Sequence, residues 1–231
     1  MQKTAKLERA EKAASSQGIY SKSQVKIILA AEKLFAQFSL DGVSLREIAV
    51  AADQRNHYAV QYHFGSREGL IRAVFSHRMI EMEGQRGAML AAAERDGLLG
   101  DARALIEMVF LPQLSLQGAD SIHSYANFLC QFLLRQNTRE FGDFGVPLPP
   151  NLSQVMALLR VRLAYLPTAA AQRRLIGVCF VFLNILVAYG ENGEDRERDE
   201  SFAAALEDTL AQIETALCLP LAGTPAVNPR A

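Results

Sequence analysis

Apolar residues recur every three to four positions through most of the chain, and period-two alternation is scarce, so the predicted fold class is all-α. Ile28, Ala31, Phe35 and Phe38 mark one face of a helix that begins near Ser23. Asp41-Gly42 turns the chain, and Ser44 with Glu47 three residues on forms a capping box for a second helix. Leu45, Ile48, Ala49 and Ala52 follow at i, i+3, i+4 and i+7, a single apolar stripe. Asp53-Gln54-Arg55 breaks the stripe, and Asn56 is placed to cap a third helix from about His57 to Phe64. The next helix starts after Gly65-Ser66 and is expected to run to Gly84 or Gly87. Later helical segments fall near 101–117, 119–137, 151–165, 168–190 and 199–218, and Pro112 should kink or end the helix that holds Phe110.

Three regions can be read in more than one way. Met108, Phe110, Leu114, Tyr125, Phe128, Leu129 and Phe132, with His123 and Asn127 nearby, can line an apolar cavity with a few polar anchors or form an ordinary core. Phe141 and Phe144, in the Gly- and Pro-rich stretch ending at Pro150, can lid such a cavity or pin the loop to the core. The run Leu175 to Tyr189 is apolar almost all round and needs burial on every side. At roughly 22 Å it falls short of the ~30 Å hydrocarbon core, so no membrane span is expected. The last helix carries Phe202, Leu206, Leu210, Ile213 and Leu217 on one stripe, which can meet a second copy or complete the monomer.

Charge separates the two ends of the chain, although the whole is nearly neutral at −1. Residues 1–90 hold 13 Lys and Arg against 9 Asp and Glu, and residues 91–231 hold 11 against 16. A basic N-terminal portion on an acidic remainder suits a nucleic-acid reader with a separate control domain. Residues 1–22 contain five basic and two acidic residues without the long apolar core of a signal peptide. They are expected to form a flexible basic arm, either unstructured or reaching a DNA groove. Cys130, Cys179 and Cys218 are widely spaced in apolar stretches, which suggests buried thiols in a reducing cytoplasm rather than a metal site. Gly-x-Ser-x-Gly, a phosphate-cradling glycine loop and His-Glu-x-x-His are all absent from the sequence, so neither an enzyme nor a cofactor is expected.

Three motifs occur in order: Ala30-Ala31-Glu32-Lys33-Leu34-Phe35, Val43-Ser44-Leu45-Arg46-Glu47-Ile48-Ala49 and Tyr62-His63-Phe64-Gly65-Ser66-Arg67-Glu68-Gly69-Leu70. With them, the stretch from about Val25 to Arg78 resembles the N-terminal helix-turn-helix domain of TetR-family transcriptional regulators. Two positions depart from the common pattern. Asp53 stands where glycine is frequent, and Gln61 stands where tyrosine is frequent, with tyrosine at 62.

The resemblance implies a flexible arm at 1–22, a DNA-binding domain at 23–70, an effector-binding and dimerisation domain at 71–218 and a flexible tail at 219–231. Within the reader, Ser44 and its helix start suit a phosphate, and Arg46 a phosphate or a guanine edge. Arg55, Asn56, His57 and Tyr58 front the recognition helix, and Gln61 can pair with an adenine. Tyr62, His63 and Arg67 match positions that flank the DNA backbone, although burial of Tyr62 and His63 against Phe35 is the competing expectation. Met108, Phe110, Leu114, His123, Tyr125, Asn127, Phe128 and Phe132 are the expected lining for a hydrophobic or aromatic effector. Leu175, Val178, Phe182, Leu186, Phe202, Leu206, Leu210, Ile213 and Leu217 are the expected homodimer interface. Together these imply a cytoplasmic, homodimeric repressor released from double-stranded operator DNA by a small molecule. The alternative is an activator or partner-gated regulator that responds to no small molecule.

Overall fold

The computed structural model describes residues 19–56, 58–116, 121–135, 140–189 and 200–221. The basic arm before residue 19, His57 and most of the C-terminal tail therefore lie outside the described residues. Ten α-helices and one short 3-10 segment make up the regular structure of the described residues, and no strand occurs among them. The first three helices are α1 (Lys22–Phe38), α2 (Leu45–Ala51) and α3 (Ala59–Phe64). Next come α4 (Arg67–Glu81) and α5 (Glu83–Arg95). A 3-10 segment (Leu111–Ser115) follows α6 (Ala102–Phe110), and then come α7 (Ser121–Arg135) and α8 (Pro150–Arg162). The chain closes with α9 (Thr168–Ala188) and α10 (Phe202–Cys218).

Local chemistry sets most of these boundaries. Ser44 Oγ accepts from Glu47 N at 3.1 Å and Glu47 Oε2 accepts from Ser44 N at 2.7 Å, the reciprocal box expected for α2. Asp53 takes a left-handed conformation with φ 52°, which short polar side chains tolerate. Helix α3 starts two residues later than the pattern predicts. Asn56 Oδ1 accepts from Tyr58 N at 2.9 Å, so the side chain folds a turn before the helix instead of capping its first turn. Pro112 lies in the 3-10 segment and ends α6, as expected from its missing N–H.

The helix predicted to run from Arg67 through Gly84 or Gly87 is divided at Met82, which is buried at φ −79° and ψ −9°. The restart turns Glu83 and Arg86 inward. Glu83 accepts from Asn151 N (2.8 Å) and Leu152 N (3.1 Å) at the start of α8, and Arg86 Nε donates to Met108 O in α6 at 3.1 Å.

Helix α7 lies between α1 and α9, α10 packs on α9 and α6, and α8 packs on α5 and α6. The buried apolar cluster is continuous from Ile27 in α1 to Leu217 in α10. An aromatic run threads it: Phe35 to Phe128 (6.3 Å between ring centres), Phe128 to Phe132 (5.9 Å), Phe132 to Phe75 (4.6 Å) and Phe75 to Phe144 (5.7 Å). Beside it Arg78 of α4 makes a two-point pair with Glu32 of α1, at 2.6 and 2.8 Å, and Ser124 Oγ of α7 donates to Glu32 at 2.7 Å. The pair is almost wholly buried, where loss of one partner leaves an uncompensated charge and costs about 3–5 kcal/mol.

The last two helices correct the expected interface. Leu175, Val178, Phe182 and Leu186 of α9, with Leu210, Ile213 and Leu217 of α10, are buried inside the single chain. Helix α9 packs on α7 and α10, and α10 packs on α9 and α6. The end of α10 is tied down by Tyr165 Oη donating to Cys218 O (2.6 Å) and by Arg174 Nη1 donating to Leu217 O (3.1 Å) and Leu219 O. Of the predicted set, only Phe202 is exposed and Leu206 half-buried. Helix α9 has 21 residues, longer than its apolar run, and is long and apolar enough to cross a membrane by length and composition alone. In the fold that apolar surface packs against α7 and α10.

Candidate nucleic-acid interface and internal cavity

Helix α3 is short, and its placement depends on its neighbours. Ala59 and Val60 are buried, while Tyr58 (75 % exposed), Gln61 and Tyr62 (83 % exposed) face outward. Spacings of three and four put Tyr58, Gln61 and Tyr62 on adjoining parts of one surface. Arg46, Arg55 and Asn56 are exposed as well. The turn before α3 is braced by Gln54, whose N–H donates to Ala49 O (2.9 Å) and whose Oε1 accepts from Ser23 Oγ of α1 (3.0 Å). Neither Gln54 nor Ser23 is marked by any sequence pattern, because the bond spans 31 positions.

Three expected contacts have other duties in the fold. Both the Oγ and the N–H of Ser44 are committed to the capping box, and those bonds hold the Glu47 carboxyl below its ordinary range. Arg67 Nη1 donates to Leu40 O (2.9 Å) and Val43 O (2.5 Å), which clamps the turn between α1 and α2. His63 is half-buried, with its ring edge-on to Tyr62 (5.1 Å) and Phe64 (6.2 Å). Burial of Tyr62 against Phe35 does not occur. Phe35 instead stacks on Phe128.

The α1–α2 turn is also gripped from the body. Gln131 of α7 accepts from Leu40 N and donates to Phe35 O, both at 2.8 Å, and Arg135 pairs with Asp41. Behind α3, Gly65 at φ 73° ends the helix, and Gly69 allows Phe64 O to approach so closely that a Cβ there would collide with it. The outcome is a braced, exposed helix with two arginines beside it and two exposed tyrosines.

A separate cavity of about 40 Å³ lies among α4, α5, α6, the 3-10 segment, α7, α8, α9 and the loop before α8. Phe75, Phe110 and Phe144 contribute rings, and Met79, Val109, Leu129, Leu133, Leu152, Met156 and Leu183 aliphatic surface. Arg86, Gln113 and Cys179 are its polar or polarisable members. Of the nine residues read as a possible cavity lining, Phe110 and Leu129 line this one. Tyr125, Phe128 and Phe132 are buried, with Phe128 and Phe132 stacked on Phe35 and Phe75, whereas Leu129 and Leu133, a step further round α7, face the cavity. Met108 is buried with its carbonyl on Arg86, and Leu114 is half-buried. Asn127 bonds His123 through both the ring Nε2 and the backbone oxygen, each at 3.1 Å. Phe144 does both things foreseen for it: it pins the loop on Phe75 and walls the cavity.

The polar groups at the cavity are unevenly satisfied. Arg86 is 1 % exposed, with Nη1 on Glu83 Oε1 at 2.9 Å, and burial draws its guanidinium down from the ordinary value. Gln113 is 5 % exposed, and its Oε1 has no hydrogen-bond donor among the described residues. Burial pushes the Cys179 thiol up to about 12.

Residues 27–74 match the family described as bacterial regulatory proteins, tetR family. A comparison with curated proteins gives no match.

Proposed function

We propose that this chain, whose residues 27–74 match the tetR family of bacterial regulatory proteins, is a DNA-binding transcriptional regulator that acts as a homodimeric repressor released from its operator by a small hydrophobic effector. The observation that carries this reading is helix α4. Its first turn holds the reader through Arg67, its middle residues Phe75 and Met79 wall the cavity, and Arg78 pairs with Glu32 of α1. A molecule that enlarges the cavity pushes on Phe75 and Met79, and α4 carries α1 and the turn with it.

In this reading Arg46, Arg55, Tyr58 and Gln61 face base edges and nearby phosphates, and Tyr62 and His63 set the orientation through backbone contacts. A single end-on reader spans half a site, so two copies are needed about one helical turn apart. The surface suited to the second copy is the outward stripe of α9, Gly177, Val181, Asn184 and Ala188, with Phe202 and Leu206 of α10 at its edge. Small residues there let two helices approach closely. Effector binding changes the separation of the two readers, a coupling typically of about 1–3 kcal/mol. A protein with this partner works where the chromosome is, in the bacterial cytoplasm.

One observation favours a second reading, a regulator gated by a protein partner: the cavity is far smaller than the roughly 300–1,000 Å³ of ordinary ligand sites. A selection from random DNA followed by fluorescence anisotropy at physiological salt tests both. Saturable binding of two chains to a two-fold-symmetric sequence, reversed by a hydrophobic ligand, is the expected result. Affinity no better than for scrambled DNA overturns the regulator, and operator binding that no hydrophobic ligand disturbs selects the partner-gated reading.

A further inference from the structure

The cavity holds a chemical request that its apolar walls do not explain. Gln113 Oε1 is a deeply buried acceptor that has no donor among the described residues, a state that leaves its desolvation uncompensated. Arg86 lines the same cavity, a donor whose carboxylate partner, Glu83, also serves two backbone N–H groups of α8. An acceptor seeking a donor and a donor able to serve another acceptor are met together by a hydroxyl group. A carboxylate gives Gln113 Oε1 nothing to accept, and an ammonium is repelled by Arg86. Around these two groups stand the rings of Phe75, Phe110 and Phe144.

We propose that this cavity takes a neutral aromatic molecule bearing a hydroxyl, of the phenol class, whose O–H donates to Gln113 and whose oxygen accepts from Arg86. The inference rests on reading the cavity as the effector site and names the effector's chemistry. An aromatic ring needs more room than about 40 Å³, since a cavity that holds benzene measures about 150 Å³. The ring that yields is Phe144, carried on the loop before α8. That loop is fastened by Gly142 N donating to Gln172 Oε1 at 2.9 Å and packs on Met156. As Phe144 leaves Phe75, the wall belonging to α4 is freed, so occupancy and reader position are linked through one ring contact.

Isothermal titration of the full chain with 4-propylphenol, propylbenzene and 4-propylbenzoate tests this. The phenol should bind about tenfold tighter than propylbenzene, the value of one well-placed hydrogen bond. Gln113→Leu should abolish that preference while leaving propylbenzene binding intact, and Gln113→Met gives the same test if the leucine variant does not fold. Equal affinities for phenol and propylbenzene, tightest binding of the benzoate, no binding of any of the three, or a preference that survives both substitutions each overturn the proposal. Operator release, followed separately by anisotropy, divides this from the parent reading. Gln113-dependent phenol binding without DNA release keeps the ligand class and sinks the effector role. Release by the benzoate alone keeps the effector role and sinks the phenol class.

Discussion

At Ser39 the backbone takes φ 74° and ψ 162°, a region that glycine occupies freely and other residues only at a cost of about 1–3 kcal/mol. The surroundings enforce it: Gln131 binds the oxygen of Phe35 and the N–H of Leu40 on either side, and Arg67 holds the oxygen of Leu40. Ser39→Gly should therefore raise the unfolding free energy by about 1 kcal/mol in urea denaturation, and a loss of stability would show that the serine side chain matters more than the strain. Single-residue chemistry was partly legible in the sequence. A left-handed turn at Asp53 follows from its short polar side chain, and the Ser44–Glu47 box follows from spacing. Arg67 and Gln131 were not legible in these roles, because their partners lie 24 to 96 positions away and leave no local periodicity, and the conformation of Ser39 is set by those distant clamps.

Among elements, the helices themselves were readable where an apolar stripe met a cap, as in α2, and misread where a stripe had two possible partners. Helix α7 shows why. Its aromatic residues and its leucines differ by a single position, and sequence cannot say which row faces the reader and which the cavity. The same ambiguity placed the buried stripes of α9 and α10 at a dimer contact, when burial within one chain uses them first. The start of α4 and the face of α3 give the sharper test. Arg67→Ala should lower stability by about 1–3 kcal/mol, since it strands two carbonyl oxygens of the α1–α2 turn. Tyr62→Ala, at a side chain almost fully exposed, should leave the urea midpoint unchanged and weaken binding to all DNA sequences alike. A stable Arg67→Ala protein whose only defect is DNA affinity would return that arginine to the phosphate contacts.

For the whole molecule, the proposed two-fold assembly concentrates its test on α9. Val181→Arg puts a charge on the outward stripe without touching the core, so helicity should stay constant while sedimentation shifts to the monomer. Operator affinity should then drop by roughly 10²–10⁴, the avidity lost when two half-sites are no longer linked. A Val181→Arg protein that remains dimeric would move the interface elsewhere. The aromatic run from Phe35 through Phe128, Phe132 and Phe75 to Phe144 has a consequence of another kind. Cutting the chain near residue 70 to graft a foreign reader onto this body would sever the Phe35–Phe128 stack, the Glu32–Arg78 pair and the Gln131 clamp at once. Portability here follows a set of spatial partners, and a chimera inherits a working joint only if both halves bring matching faces.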